Sequence, residues 1–389
     1  MQTRADFSYV STRRCGASPR HSAIAMGPNS DSRSNSLTFT PNQVRIVGSG
    51  LIGTSIGLAL VQHGVSVEMV DSDPASQSLA SDLIGSGVAG KPQLVIFALP
   101  TNRVDEVLAR EFELNPQSTF MDVGSVKTEV LLKVEGIAGL VTRFVPSHPM
   151  AGREIGGAGS ARADLFQGRS WVITPIAQTN QEAVQTVEAL ITLLGATPLK
   201  MSPADHDAAV AKVSHLPQIF SSLLAKQLLG TKQEWMELSG QGLRDSTRIA
   251  GSDANLWKEI IFSNRKVLSG LLEDLRDDLQ MMIDSLENVR QLEVILEQGR
   301  AGRDLIPGKH GGKAREYSYL PIVIDDKPGQ LAAIFNLCAT LDVNVEDLNI
   351  EHSPGQLSAL ITLALSSNDA QKLSTHLASI GWNVHPIRN

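Results

Sequence analysis

Two stretches of the sequence carry side chains, and one carries glycines, at spacings that chemistry requires. Gly48-Ser49-Gly50-Leu51-Ile52-Gly53 lies between a predicted strand, 43–47, and a predicted helix through Leu60. Asp71 ends the next predicted strand, 18 residues past Gly53. In such a G-x-G-x-x-G turn the first glycine permits a tight bend and the second lets a pyrophosphate approach bare backbone. The third lets helix and strand pack closely. The helix start offers free N–H groups and a positive dipole end to phosphates. A carboxylate at Asp71 accepts hydrogen bonds from ribose hydroxyls and, with Asp73, repels a 2′-phosphate. The spacing predicts an NAD site, rather than an NADP site, built from Gly48, Gly50, Leu51, Ile52, Gly53, Asp71 and Pro100.

The other two stretches are Asp122-Val-Gly-Ser125-Val-Lys127 and Ser147-His148-Pro149-Met150-Ala151-Gly152. Both follow predicted strands, whose ends face the cofactor crevice in open α/β sheets. An imidazole with an ordinary pKa of ~6.5 takes up a proton near neutral pH, so His148 is the candidate base. Ser125 is the candidate for orienting it and for bonding the same substrate oxygen. His206 and His215 share a predicted helix but stand nine residues apart, which places them on different faces and excludes an i,i+4 metal pair. At least one of them is expected to be structural. Arg244 and Arg248 share one face if helical. Their planar forks suit a carboxylate substrate or, equally, surface ion pairs with Asp245 or Asp253.

Strands are predicted at 43–47, 65–70, 94–100, 118–124, 142–149 and 170–175, alternating with helices, which means βαβ units and a mostly parallel sheet. After Ser202 the strand signal stops. Pro217 predicts a kink, and 255–298 reads as a long amphipathic helical stretch whose apolar face pairs with a second copy. The Gly- and Lys-rich run 301–315 reads as a linker. From 316 to the end the order is β-α-β-β-α-β, the ferredoxin-like arrangement. The expected organisation is an extension at 1–42, a Rossmann-type α/β domain at 43–203 and an all-α dimerisation domain at 204–300. The linker and a ferredoxin-like domain at 316–389 follow.

Composition narrows the function classes. A net charge of −7 provides no basic field for nucleic acid, and 4% aromatics provide no stacking platform. No apolar run reaches the ~18–20 residues a membrane span needs. Cys15 and Cys338 cannot build a disulfide framework and offer no zinc spacing, so no metal is expected and a reducing, cytoplasmic setting is. The Ser- and Arg-rich residues 1–42 read as a disordered extension, an organelle transit peptide, or a start placed upstream of Met26.

These motifs resemble the prephenate/arogenate dehydrogenase family of tyrosine biosynthesis. The resemblance covers about 43–300 through GSGLIGTSIG (48–57), DVGSVK (122–127), SHPMAGRE (147–154), DHDAAVAKVSHLP (205–217) and RDSTRIAGSDANLW (244–257). DDKPGQLAAIF (325–335) separately resembles an ACT domain. The resemblance implies NAD-dependent oxidative decarboxylation of prephenate to 4-hydroxyphenylpyruvate by a homodimer. It gives His148 the 4-hydroxyl proton, Ser125 the orientation of both groups, and Arg248 the ring carboxylate. It places His215, Glu154 and Trp257 near the rest of the substrate. It also implies a tyrosine effector at Asp326, Pro328, Gly329 and Asn344. Arogenate, with an ammonium that an acidic Glu154 would favour, is the alternative substrate. A β-hydroxyacid-type dehydrogenase would need Lys212 as its base. A catalytically inactive amino-acid sensor is the alternative outside enzymes.

Overall fold

The computed structural model describes residues 41–85, 90–153, 155–306, 317–352 and 358–388. The predicted extension, apart from its last two residues, and all of the predicted linker beyond Ile306 lie outside the described residues. The chain divides into two compact units, the border falling after Leu271.

The first unit opens with β1 (Gln43–Val47), α1 (Leu51–Gln62), β2 (Ser66–Val70), α2 (Pro74–Ile84), β3 (Leu94–Phe97), α3 (Val104–Leu114), β4 (Thr119–Asp122), α4 (Thr128–Glu135) and β5 (Phe144–Val145). Every pairing in this sheet is parallel, in the order β2-β1-β3-β4-β5. Alternation within the strands fills two cores. Val44, Ile46, Leu94, Ile96 and Met121 face one side, and Val47, Val95, Phe97 and Phe120 face the other. A sheet buried on both faces needs such continuous apolar runs. Phe97 stacks on Phe120 and Phe144 at 6.2 and 6.3 Å, tying the last three strands. Because β1 lies between β2 and β3, the connections leave it in opposite directions, and a crevice opens at the strand ends there.

The stretch 142–149, predicted as one strand, is two. Pro146 separates β5 from β6 (Ser147–Pro149), and β6 joins a second sheet. It pairs antiparallel with β7 (Ser170–Ile173), which pairs parallel with β8 (Thr197–Lys200), a strand the sequence reading did not predict. Three of the four β8 residues are exposed, so it shows no apolar alternation. Between them runs α5 (Gln181–Leu193), whose Val184, Val187, Leu190 and Ile191 join Trp171 and Ile173 in the core under the first sheet.

Helices follow: α6 (Pro203–Val210), a π-helical turn (Ala211–His215), α7 (Leu216–Lys226), α8 (Gln233–Met236), α9 (Gln241–Thr247), a 3₁₀ turn (Arg248–Gly251), α10 (Ala254–Ser263) and α11 (Arg265–Asp284). The predicted kink at Pro217 is the π turn just before it. Proline has no N–H, and its ring crowds the carbonyl four residues back, Val213, so widening that turn relieves the clash. The long run 255–298 is broken at Asn264 and again at 285–288, where α12 (Val289–Asp304) starts under an Asn288 cap. Helix α12 continues into the stretch predicted as linker. Among these helices Leu279, Ile283, Val294 and Leu296 are exposed apolar side chains.

In the second unit β9 (Ser318–Asp325), α13 (Gln330–Thr340), β10 (Asp347–His352), β11 (Ser358–Leu365), α14 (Ser367–Ser379) and β12 (Asn383–Val384) give the predicted β-α-β-β-α-β order. The antiparallel sheet runs β10-β11-β9-β12 over a core that includes Leu320, Ile361, Leu373 and buried Cys338.

The glycine-rich turn between β1 and α1 is sterically specified. Gly48 sits at φ +114°, and a Cβ there would lie 2.3 Å from the Ala98 carbonyl oxygen; one on Gly53 would lie 2.0 Å from the Gly48 oxygen. A Cβ on Gly50 meets nothing within 4 Å. Gly48→Ala is therefore expected to lower unfolding stability by about 2–3 kcal/mol or more. Gly50→Ala should leave the urea midpoint within experimental error of the wild type; equal midpoints for all three proteins would contradict this account.

Candidate active site

The first half of the site is the β1–α1 turn. Gly50 caps α1 without a side-chain bond, and no acidic residue lies in the first turn. The N–H groups of a twelve-residue helix thus face open space beside a residue with no side chain. Asp71, at the end of β2, accepts the Ser49 N–H at 2.6 Å through one oxygen and the Asp73 N–H at 2.9 Å through the other. Asp73 caps α2 through the N–H groups of Ala75 and Ser76. Leu51 and Ile52 are half-buried and Pro100, beyond β3, is exposed. The residues predicted for a dinucleotide fit one: a bare helix start, room at Gly50, and a carboxylate on the neighbouring strand.

The second half centres on Lys127, which is completely buried. Its ammonium pairs with Asp122 at the end of β4 and donates to the Ser147 carbonyl of β6 at 2.5 Å. Asp122 also accepts the Ser147 N–H at 3.1 Å, and the Trp171 indole donates to the Ser147 hydroxyl at 3.0 Å. His148 is thereby fixed to both sheets through its neighbour. Asp207 of α6 closes the arrangement, accepting the backbone N–H groups of Lys127 at 2.8 Å and Thr128 at 2.9 Å. Helix α4 has no cap from its own N-terminal residue, so a carboxylate from α6 satisfies its orphan donors and meets its positive dipole end.

From Asp207 a chain of side chains leads to His148. His206 Nδ1 lies 2.8 Å from Asp207 Oδ1, and His206 Nε2 lies 3.0 Å from His148 Nδ1. On the other side Asn264 donates to the Asp207 carbonyl at 2.9 Å and to His215 Nδ1 at 3.2 Å. His215 meets the edge of Trp257 with ring centres 6.0 Å apart. A π turn lies between His206 and His215, both rings are buried, and they take different partners: His206 bonds His148 and Asp207, whereas His215 bonds Asn264. Among the described residues no group of three or more His, Cys, Asp or Glu is arranged to hold a metal ion.

Burial pushes the His148 pKa well below 6.5. The charges of Lys127, His206 and His215 add to this and Asp207 opposes it. Burial likewise lowers His215 to about 4. Burial raises Asp207, but the bonds from His206, Thr128 and Lys127 outweigh it and hold the carboxyl below its ordinary value. Near neutral pH His148 and His215 are thus uncharged imidazoles in a site that also holds a buried ammonium and a buried carboxylate.

Residues 56–199 match the family described as prephenate dehydrogenase, nucleotide-binding domain, and 202–297 match its dimerization domain. The chain belongs to the prephenate dehydrogenase family. As a family member it is an oxidoreductase. A probable prephenate dehydrogenase of Streptomyces niveus, NovF, is 29% identical over 87% of this chain and 98% of its own. A solved Aquifex aeolicus prephenate dehydrogenase, in complex with hydroxyphenyl propionate and NAD+, is 26% identical at a TM-score of 0.59, covering 69% of this chain and 99% of its own. Synechocystis arogenate dehydrogenase is 27% identical at a TM-score of 0.58, covering 67% and 99%.

Within this prephenate dehydrogenase family chain the predicted residues fall as follows. His148, His215 and Trp257 join one cluster. Ser125 is half-buried just past β4, but the bond that His148 makes is to His206. Arg248 is exposed in the 3₁₀ turn, whose Ile249 carbonyl accepts from Gln218 of α7 at 2.9 Å. Asp245 is bonded by Gln241 and Asp253 caps α10. Glu154 lies outside the described residues. Lys212 is exposed, which leaves a β-hydroxyacid-type base without a buried site. The sequence reading gave no functional part to Lys127, Asp207 or Asn264; of the three only Asp207 stands beside one of the two histidines in the sequence. In the second unit Asp326, Pro328 and Gly329 line a cavity of about 380 Å³ beside Ile350 and Ala359. Asn344 does not line it and donates instead to Glu346 at 3.0 Å, a correction that follows from its exposed place before β10.

The buried neutral histidines make stability pH-dependent. The unfolded chain takes up protons through ~6.5 while folded His215 resists until about 4, so between those values the unfolded state binds more protons. Stability is expected to be full above pH 6.5 and to fall progressively as pH drops toward 4. Replacing His215 by Gln, which keeps an acceptor for Asn264, should flatten that slope in melting experiments; an unchanged slope would contradict burial as the cause.

Proposed function

We propose that this chain catalyses the NAD-dependent oxidative decarboxylation of prephenate to 4-hydroxyphenylpyruvate. The observation that carries the reading is His148: a neutral imidazole in the middle of the short strand β6, locked by buried partners, in the same unit as a bare helix start with a carboxylate beside it. Bound NAD would accept the hydride. The fit of the β1–α1 turn and the Asp71 carboxylate supports NAD over NADP. His148 would take the 4-hydroxyl proton as hydride leaves the ring carbon. When the ring carboxylate departs as carbon dioxide and the ring aromatises, it would return the proton to the phenolate oxygen. A permanently charged group could not do this, and burial keeps His148 uncharged. Ser125 would bond the same oxygen. Arg248 would hold a carboxylate, His215 and Trp257 would wall the pocket, and Glu154 would lie toward the side chain. Aromatisation makes the step downhill, so positioning supplies most of the catalysis.

Arogenate is the second reading, supported by the likeness to the Synechocystis enzyme and by an acidic residue at Glu154. Presence of both Ser125 and His148 speaks against an inactive sensor. A homodimer is supported by the match to the dimerization domain and by the exposed apolar side chains of α11 and α12. The βαββαβ unit with its cavity at Asp326–Gly329 supports an ACT domain that binds tyrosine as a feedback effector.

Mixing the protein with NAD and either prephenate or arogenate, and following reduced cofactor by absorbance, decides the substrate; no turnover with either sinks the proposal. His148→Asn should lower kcat by about 10²–10⁴-fold with little change in KM. Because the His148 pKa is depressed, kcat/KM is expected to stay level down through pH 6.5 and decline only below it. Equilibrium dialysis with tyrosine tests the effector: saturable binding together with loss of activity is expected. Tyrosine that neither binds nor inhibits would leave the domain without that role.

A further inference from the structure

We propose that His206 and Asp207 are positioning residues which fix the tautomer of His148 and aim its basic nitrogen at the substrate. The proposal rests on His148 as the base of the reaction above. The hydrogen-bond chain has a direction. A carboxylate only accepts, so the His206 nitrogen 2.8 Å from Asp207 Oδ1 carries the proton at Nδ1. In a neutral ring that leaves His206 Nε2 as a lone pair, and the nitrogen 3.0 Å away, His148 Nδ1, must then be the donor. Neutral His148 with its proton on Nδ1 keeps Nε2 free to accept. The direction originates at Asp207, whose own oxygens are pinned by the α4 N–H groups of Lys127 and Thr128. His206 is wholly buried and Asp207 nearly so, so water cannot exchange with either bond.

The arrangement does for a His–His–Asp chain what the aspartate does in a serine-protease triad: it selects the tautomer and stabilises the imidazolium when a proton arrives. As His148 Nε2 takes the hydroxyl proton, its Nδ1–H bond to His206 becomes charge-assisted, with the Asp207 carboxylate at the far end of the chain. Ser125, assigned by resemblance to orienting the base, is not the group that His148 Nδ1 meets. The orienting contact comes from His206 of α6.

Long-range ¹H–¹⁵N NMR on the full chain reads the tautomer directly. Wild-type His148 is expected to be protonated at Nδ1. His206→Leu removes the acceptor, so His148 should shift toward the Nε2–H form, kcat should fall about 10- to 100-fold, and KM should stay within about two-fold. His206→Gln, whose side-chain oxygen accepts from the same Nδ1–H, should recover several-fold of that loss. An Nε2–H tautomer in the wild type overturns the proposal, as does a His206→Leu variant that melts like the wild type and turns over equally fast. An Nδ1–H tautomer in a protein inactive on prephenate and arogenate supports the chain of bonds while sinking the proposed reaction.

Discussion

A buried ammonium holds this site together. Lys127 has no contact with solvent, and burial drives its pKa down while Asp122 pulls it up. Its ammonium joins the end of β4 to the carbonyl of Ser147 in β6, and its backbone N–H joins α4 to Asp207 of α6. One residue thus bonds the parallel sheet, the second sheet and the helical layer. Isolated charges of this kind are expensive, and leaving either member of such a pair unmatched costs ~3–5 kcal/mol. Such a device specifies one arrangement: only where β4, β6 and α6 meet are Lys127 and Asp122 both satisfied. His148 follows Ser147 directly, so the base inherits this register.

The same constraint explains the electrostatics. An imidazolium here would lose its solvation, and at His148 it would also face the Lys127 ammonium; the Asp207 carboxylate offsets this only in part. His148 and His215 therefore stay neutral, which a proton acceptor requires. Stability and chemistry draw on the same burial, so acid that protonates these rings is expected to loosen the fold and silence the base together.

The parallel sheet, the glycine turn, Asp71 and the C-terminal βαββαβ order were legible in the sequence because each rests on local signals: apolar runs, strand-end glycines and period switches. His148 was legible as a candidate near the end of the predicted strand 142–149, although it sits in the middle of the short β6. Four features were not. Strand β8 is mostly exposed and lacks alternation, so nothing in Thr197–Lys200 marks it. The split at Pro146 is a tertiary outcome, since β6 leaves one sheet for a partner, β7, more than twenty residues on. The widening of the helix into a π turn ahead of Pro217 is not marked by an ideal 3.6-residue period. Likewise Asp207 acts on a helix about eighty residues earlier, and no spacing rule links an α6 carboxylate to the start of α4.

The dinucleotide half of the site shows the same economy of parts. Asp71 is the residue that would meet the ribose, yet its two oxygens already hold Ser49 and Asp73 by their backbone N–H groups. Through Ser49 it braces the turn in which Gly48 sits at positive φ, and through Asp73 it orders the cap of α2. A carboxylate oxygen has lone pairs enough for a backbone donor and a hydroxyl together. A Lys or Arg suited to a 2′-phosphate has no acceptor and would not brace the turn. In this fold cofactor choice is therefore not an independent surface property. The charge that discriminates against a phosphate is also what keeps the phosphate-facing backbone in shape.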